Sequence, residues 1–551
     1  MMGLVYKEEG SITVFMTFIF LLLFALTGVT LDSARYFGSA GYVKTSAYGA
    51  EIAAYGEYNR ELFTEYGFFG CGGFNGKGEE DWLDRYEEIL RENLRERPAA
   101  QKPGFFPKRY ASVYQISGVW ADLEEVHFLT EEKYFRQKLR KWSTTQGLKD
   151  IGGDLVQQVL GTDQGKKEEL LRDMEETDSL EDKEAGQTNK SAVAKDAVQN
   201  GPREKQGTKV EDPLEFLKEL LQDGVLSLVC NSDTLCEREL DTREIAEGTQ
   251  STQEMLSQKD KGNWSKGKSG FKIMKKFLKQ EDSMWNDEMT EDSGKKGELI
   301  MYVSDKLESY VSEHRGSVPY GLEYLISGKK SQKEALGTVI DHLFLIRTMI
   351  NFLYVEKDPV LQAKSLETAT ALAAPLMAEA FIPVIQKGIL LVLSMEEACV
   401  DITALLQGRQ VPVFKSGESF QMDYAQICLA NRKIFQEKAK QFSREGDGLF
   451  AVDSGKGLGY EQYLWLMLMM RSWNDLYQRT LDVIQFDLRD RFNQTFSIDQ
   501  CICRTKVVVT YELPVLFRWI ADQTGDKSNI DHTKYTPGML RRRITVVYGY
   551  S

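Results

Sequence analysis

Between Gly10 and Asp32 runs a stretch, Ser11 to Leu31, that contains no Asp, Glu, Lys or Arg. As a helix rising about 1.5 Å per residue it reaches roughly 30 Å, the thickness of a bilayer's hydrocarbon core. The pattern predicts one membrane span over 11–31. A leader of ten residues precedes it, and nearly all of the 551 residues follow. The body of the protein is therefore expected on one side of the membrane.

A cleaved secretory signal is the competing reading, with Lys7 as its positive region and Gly38-Ser39-Ala40 as small residues for a peptidase. Secretory apolar regions run about 7–15 residues. This one is longer, and Asp32 and Arg35 separate it from those small residues. With Lys7 on one flank and Arg35 and Lys44 on the other, charge alone leaves the orientation open.

From Asp32 to Tyr66 there is no proline. Leu31, Ala34, Tyr36, Phe37, Ala40, Val43, Ala47, Ala50, Ala54, Tyr58, Leu62 and Tyr66 form a loose stripe near helical spacing. The same helix is expected to continue outside the membrane over 32–70, weakened by Gly38, Gly41, Gly49 and Gly56. Gly70, Gly72 and Gly73 are expected to end it.

Glu8-Glu9-Gly10-Ser11-Ile12-Thr13-Val14, the apolar span and the amphipathic extension together resemble type IV pilin-like proteins. Most similar are the TadE/TadG-like pseudopilins of tight-adherence (Tad) pilus systems. The resemblance implies a prepilin peptidase cutting after Gly10 to leave Ser11 first, a cytoplasmic N-terminus, and an extracytoplasmic body. It also implies other Tad or pilus assembly membrane proteins as partners, besides the lipid bilayer. The chain departs from that family at the fifth mature position, where a glutamate is usual and Phe15 stands here.

More of the chain resembles an uncharacterised family of large Tad-associated proteins from clostridia-like Gram-positive bacteria. The matching pieces are Leu31-Asp32-Ser33-Ala34-Arg35, Asn59-Arg60-Glu61-Leu62, Glu65-Tyr66-Gly67 and Glu323 to Lys329. Ile346-Arg347 with Asn351-Phe352 follows, then Glu397-Ala398-Cys399-Val400-Asp401 leading to Val411-Pro412 and Lys415. The likeness implies an interior polar network that includes Tyr324, Arg347 and Asn351.

A net charge of −14 argues against nucleic acid, which calls for a basic face. The seven cysteines are odd in number and too few for a disulfide scaffold. Cys230 with Cys236 is positioned to close a small loop. Cys399 and Cys428 lie in helical patterns and read as buried thiols.

Composition sets the boundaries: a mixed α/β segment at 71–160, a charged low-complexity insertion at 161–297, a helical body at 298–500 and a β segment at 501–551. From 161 to 209 and from 237 to 294 too little apolar surface exists to offset ordering entropy. Within the insertion, Leu214, Leu217, Leu220, Leu221, Val225 and Leu228 predict a short docking helix over 213–230.

Leu336, Val339, Ile340, Leu343, Ile346, Ile350 and Leu353 predict an amphipathic helix ending at Asp358-Pro359. Thr368 to Met395 is apolar, but it contains Glu379, Lys387, Pro375 and Pro383 and lacks the roughly 20 uncharged residues of a span. A buried helical hairpin is expected there, and one long helix over Tyr460 to Leu488. Tyr110 to Phe128, Cys501 to Tyr511 and Ile544 to Tyr548 read as strands of a small antiparallel sheet. Val509 to Phe517 resembles the strand-then-proline segment of TadE/TadG-like proteins, which implies that the two chain ends form one α+β unit. The fold class is thus α+β, predominantly helical.

None of the four histidines has another His or a Cys at ligand spacing, so no metal or other cofactor is implied. Gly455-Lys456-Gly457 and Gly328-Lys329-Lys330 lack the phosphate-loop pattern. The one polar constellation is Glu397 with Asp401, four apart on one helical face, followed by Lys415. Two such carboxylates suit acid–base work or cation binding. The structural alternative, a charge pair fixing the loop, is the reading preferred here. The expectation is a non-catalytic, membrane-anchored envelope protein of a Tad-type apparatus; the alternatives are a membrane-tethered wall hydrolase and an anchored adhesin or receptor.

Overall fold

Val507, Val508, Val509 and Thr510 favour extended backbone, and they lie in β3 (Cys501–Pro514), the strand around which both ends of the chain gather. This computed structural model describes residues 9–73, 78–94, 114, 116–145, 224–230, 235–241, 291–374, 379–422, 424, 431–442, 457–514 and 539–550. The expected low-complexity segment 161–209, most of the expected segment 237–294, Cys428 and most of the 1–10 leader lie outside them; the two ends of 237–294 are ordered, with Leu240 buried and donating its N–H to the Lys330 carbonyl, and a helix starting at Glu291. The fold is mostly helical, with one small antiparallel sheet and an apolar N-terminal helix. It divides into two compact units, Met1–Lys138 with Phe492–Ser551, and Leu139–Arg491.

The first unit contains α1 (Glu9–Gly56), α2 (Arg60–Tyr66), β1 (Cys71–Gly72), α3 (Gly78–Leu94), β2 (Gly118–Phe128), β3 and β4 (Met539–Gly549). The division between units falls inside α4 (Glu132–Thr145). β3 is central. It pairs antiparallel with β2, as in Val119↔Tyr511, and with β4, as in Val509↔Ile544; β1 adds Cys71↔Ile502.

α1 changes character along its length. Up to Leu31 its large apolar side chains are bare, with Phe18, Phe20 and Leu22 more than 65 % exposed. Beyond Asp32, Val43, Ala47, Ala50 and Ala54 recur at three-four spacing and are buried in one core with Trp82, Tyr86, Val507, Val509, Tyr511 and Val546. The small alanines let the helix lie close to its neighbours. Two hydroxyl pairs pin it to β3: Ser39 to Tyr511 at 3.0 Å and Tyr55 to Thr505 at 2.9 Å. The pins are sixteen residues apart on the helix and six on the strand, about 24 Å against about 20 Å, so α1 runs antiparallel to β3.

The helix does not continue to Tyr66. It ends at Gly56, and the Asn59 side chain accepts the Leu62 N–H at 2.8 Å to cap a new helix, α2. Gly67, at φ 73°, closes α2 in the left-handed conformation. The later glycines instead accompany β1, with Gly72 at φ 77° and Gly73 at φ 84°.

The second unit comprises α5 (Glu291–Lys306), α6 (Gly321–Ser327), α7 (Gln332–Lys357), α8 (Pro359–Ala373), α9 (Ile382–Leu406), α10 (Arg432–Ala439), α11 (Tyr460–Met469) and α12 (Trp473–Arg491). Ser331 caps α7. Asp358 ends it and caps α8, accepting the Val360 and Leu361 N–H groups with Pro359 at the first helical position. By length and composition α7, like α1, is apolar enough to cross a membrane, but half of its most apolar window is buried within the unit. Of the expected 213–230 helix, 224–230 is described, and Val225, Leu228, Val229 and Cys230 are buried.

Two further expectations need correction. The stretch Tyr460 to Leu488 is two helices: Ser472 accepts the Asp475 N–H at 3.1 Å and starts α12 afresh. The α8–α9 hairpin exists, but its distal part is not buried. Leu372, Phe381 and Val384 are 49–66 % exposed, and the buried residues of α9 begin at Leu390.

Candidate functional site

Residues four apart on a helix share a face, and the second unit uses that spacing twice. α7 presents Arg347 and Asn351, and α9 presents Glu397 and Asp401. The loop after α9 returns Lys415 between them. That loop is held by an antiparallel bridge between Val411 and Leu458, with 2.9 Å hydrogen bonds in both directions. The bridge depends on Gly457, at φ 110°, where a Cβ would fall onto the Val411 carbonyl group.

Asp401 is the hub. Its Oδ2 accepts from Arg347 Nε (2.9 Å), Arg347 Nη2 (2.7 Å) and Asn351 Nδ2 (2.9 Å), and its Oδ1 from Lys415 Nζ at 2.6 Å. Lys415 Nζ also donates to Glu397 Oε1 at 2.6 Å and to the Ser419 carbonyl at 3.1 Å. Glu397 accepts the Gln421 and Met422 N–H groups as well. Arg347 Nη1 donates to the Pro412 and Val413 carbonyls and to Tyr463 Oη. The four charged side chains are fully enclosed and their charges balance.

Burial tends to raise the Asp401 carboxyl, but Arg347 and Lys415 overcome it and hold Asp401 below the usual carboxylate range. Burial raises Glu397, against the opposing pull of Lys415. For Arg347 burial opposes the charge, and Asp401 and Tyr463 more than restore it. The network clamps α7, α9 and the 411–422 loop together. Every oxygen of the two carboxylates already accepts hydrogen bonds from inside the protein, and neither carboxylate faces solvent.

Of the six side chains proposed for this network, Arg347, Asn351, Glu397, Asp401 and Lys415 meet. Tyr324 lies elsewhere: its hydroxyl donates to Asp482 at 3.1 Å, joining α6 to α12. Gly10 falls in the first turn of α1. Cys230 and Cys236 do not close a loop, since both are free thiols and Cys230 is buried facing the Tyr310 hydroxyl.

Sequence reasoning passed over three buried carboxyls. Glu323 accepts from the Tyr310 N–H and the Tyr460 hydroxyl, and burial pushes it up to about 7. Glu396 and Glu51 have no hydrogen-bond partner for either oxygen among the described residues, and burial pushes them to about 9 and about 8. Tyr86 Oη and Trp82 Nε1, on the helix facing Glu51's, lack hydrogen-bond partners among the described residues too. Glu51 was detectable in principle, because it follows Ala47 by four and precedes Ala54 by three.

A family profile described as a family of unknown function, DUF5702, matches residues 203–513, more than half of the chain. The chain belongs to that family. The matched region contains the whole Arg347–Asp401–Lys415 network and stops within β3, so α1 and β4 lie outside it. Comparisons with curated proteins and with solved structures return no match.

Proposed function

We propose that this protein is a non-catalytic, membrane-anchored component or accessory factor of a Tad-type pilus assembly or secretion apparatus. The observation that carries this reading is the division of α1. Its first half is bare and apolar over a bilayer's length, and its second half is docked on a small antiparallel sheet. In this reading the bare half spans the cell membrane, the ten-residue leader stays in the cytoplasm, and the body stands outside.

The docked half keeps an outward stripe, with Phe37 and Ile52 more than half exposed and Gly41 meeting nothing within 4 Å. That stripe suits contact with another such helix, the kind of partner an assembly provides. The buried, fully engaged carboxylates support a structural role for Glu397 and Asp401 over the hydrolase alternative.

Sequencing the amino terminus of the mature protein tests the reading. A start at Ser11 is expected from a prepilin peptidase. A start near Gly41 would mean ordinary secretion and would overturn the anchor. An intact start in membrane-extracted protein would keep the anchor and remove the pilin-type processing.

A further inference from the structure

The two hydroxyl pins on α1 decide which end of the sheet lies beside its bare half. β3 runs antiparallel to α1 and so approaches the bare half as it advances, while β4, antiparallel to β3, leads away again. Pro514 and Met539, opposed in the ladder, mark that end. Arg35 fastens it to the helix, donating Nη1 to the Pro514 carbonyl and Nη2 to the Tyr114 carbonyl, each at 3.1 Å.

Arginine and aromatic side chains collect here. Arg542 donates Nη1 to the Tyr36 carbonyl at 3.1 Å and lies over the Tyr36 ring, 4.6 Å from its centroid, with the Phe37 ring at 5.8 Å. On the other face of β4, Arg541 stands 5.9 Å from the Trp120 ring and Arg543 is exposed. Phe37 and Trp120 are themselves 69 % and 40 % exposed. The two carboxylates described at this end are already engaged, Asp32 by Arg35 at 3.3 Å and Glu512 by Arg541 at 2.6 Å. Arg542 and Arg543 have no carboxylate partner among the described residues, so this end of the sheet is positive.

Its height above the bare stretch names the counterpart. Tyr36 lies five residues past Leu31, about 8 Å along the helix axis. The headgroup layer occupies roughly 5–8 Å beyond the hydrocarbon core. With the bare half of α1 in a bilayer, the contact between Tyr36 and Arg542 therefore stands at the level of the lipid phosphates. A guanidinium presents a planar fork of N–H donors that matches phosphate oxygens, and the Tyr36 carbonyl engages only one of them. Tyr and Trp side chains settle at the same level. Lys44, thirteen residues past Leu31, stands about 20 Å up, more than a Debye length of roughly 8 Å above the layer.

We propose that Arg542 and Arg543 bind the phosphates of anionic phospholipid headgroups, one on each face of β4, and so set the sheet directly on the membrane surface. The Tyr36 ring and carbonyl hold the Arg542 guanidinium in place, and Phe37 and Trp120 settle among the headgroups beside it. This inference rests on the reading that α1 spans the bilayer. It deepens that reading by naming the lipid that the anchored body selects and the residues that select it.

The full-length chain, reconstituted into phosphatidylcholine vesicles with a trace of spin-labelled phosphatidylglycerol or spin-labelled phosphatidylcholine, provides the test. Electron paramagnetic resonance reads the share of each label slowed by the protein. Several-fold stronger association of phosphatidylglycerol is expected. It should fall in part with Arg543→Gln and to parity when Arg542→Gln is added, whereas Lys44→Gln keeps it. Because Arg542 also packs on Tyr36, circular dichroism checks the fold of the double variant, and Arg543→Gln alone decides where that fold is lost. Equal association of the two lipids with the unaltered chain would overturn the proposal, as would a preference that the arginine variants leave unchanged. Inorganic phosphate at matched ionic strength should leave the preference in place, since headgroups are held at far higher local concentration; its abolition would assign the arginines to a free anion and overturn the lipid assignment. An alkaline carbonate wash separates the two ways of failing. A chain retained in the vesicles without lipid preference sinks this inference alone, and a chain released by the wash sinks the α1 reading and this inference with it.

Discussion

Asp401 accepts four hydrogen bonds from three cationic or amide donors, and such a group cannot lose its charge quietly. Removing one member of a buried, balanced ion network leaves the other charge unpaired and costs about 3–5 kcal/mol. Asp401→Asn is therefore expected to lower the denaturant midpoint of the second unit strongly. Tyr324→Phe, which removes the hydroxyl that donates to Asp482 outside the network, should cost about 1 kcal/mol. Urea titration of both variants followed by circular dichroism checks the contrast. Glu51 gives the opposite lesson about burial. The folded state keeps its proton up to about pH 8, whereas an unfolded glutamic acid releases it near 4.3. The folded state thus binds more protons between those values, and stability is full below the lower one and lost as pH rises through the upper. The first unit is expected to weaken by at most about 4 kcal/mol from pH 5 to pH 9, and Glu51→Gln should flatten that slope in thermal melts. Its neighbours Tyr86 and Trp82 offer no charge to offset the ionised form.

At the scale of elements, what was legible followed from local chemistry. The end of α7 at Asp358-Pro359, the strand signals and the shared face of Glu397 and Asp401 could be read because caps, β-branched runs and i,i+4 spacing act over a few residues. The breaks after Gly56 and at Ser472 were missed because the apolar stripe runs on across both, and a single Asn or Ser side chain decides the matter. The exposed arm was missed because an apolar helix pattern does not say whether protein or some other medium will cover it. Glu51 and Glu396 were passed over because a carboxylate on an apolar stripe is, by default, assumed to reach solvent. Gly457 makes an elemental prediction. Alanine there cannot coexist with the Val411 carbonyl, so Gly457→Ala should break the Val411–Leu458 bridge and loosen the loop that delivers Lys415. Faster hydrogen exchange at 411–422, with α12 unchanged, is the expected readout.

Across the whole molecule, the first unit is stitched from both ends of the chain. Trp120 on β2 pairs with Thr510 on β3 across nearly four hundred intervening residues. Ribosomal synthesis is directional, so β2 emerges long before its only strand partner among the described residues, and through that interval its edge lacks the β3 ladder. The helical unit, being wholly intermediate in the chain, can finish folding first. Truncations ending near residue 491 should therefore display a protease-resistant helical fragment attached to a readily cleaved front end. Adding back residues 492–551 should protect that front end in one cooperative step, measurable by pulse proteolysis. Completion of the sheet would then act as a quality checkpoint on the polypeptide, since α1 gains its two pins to β3 only once synthesis has passed Thr505 and Tyr511.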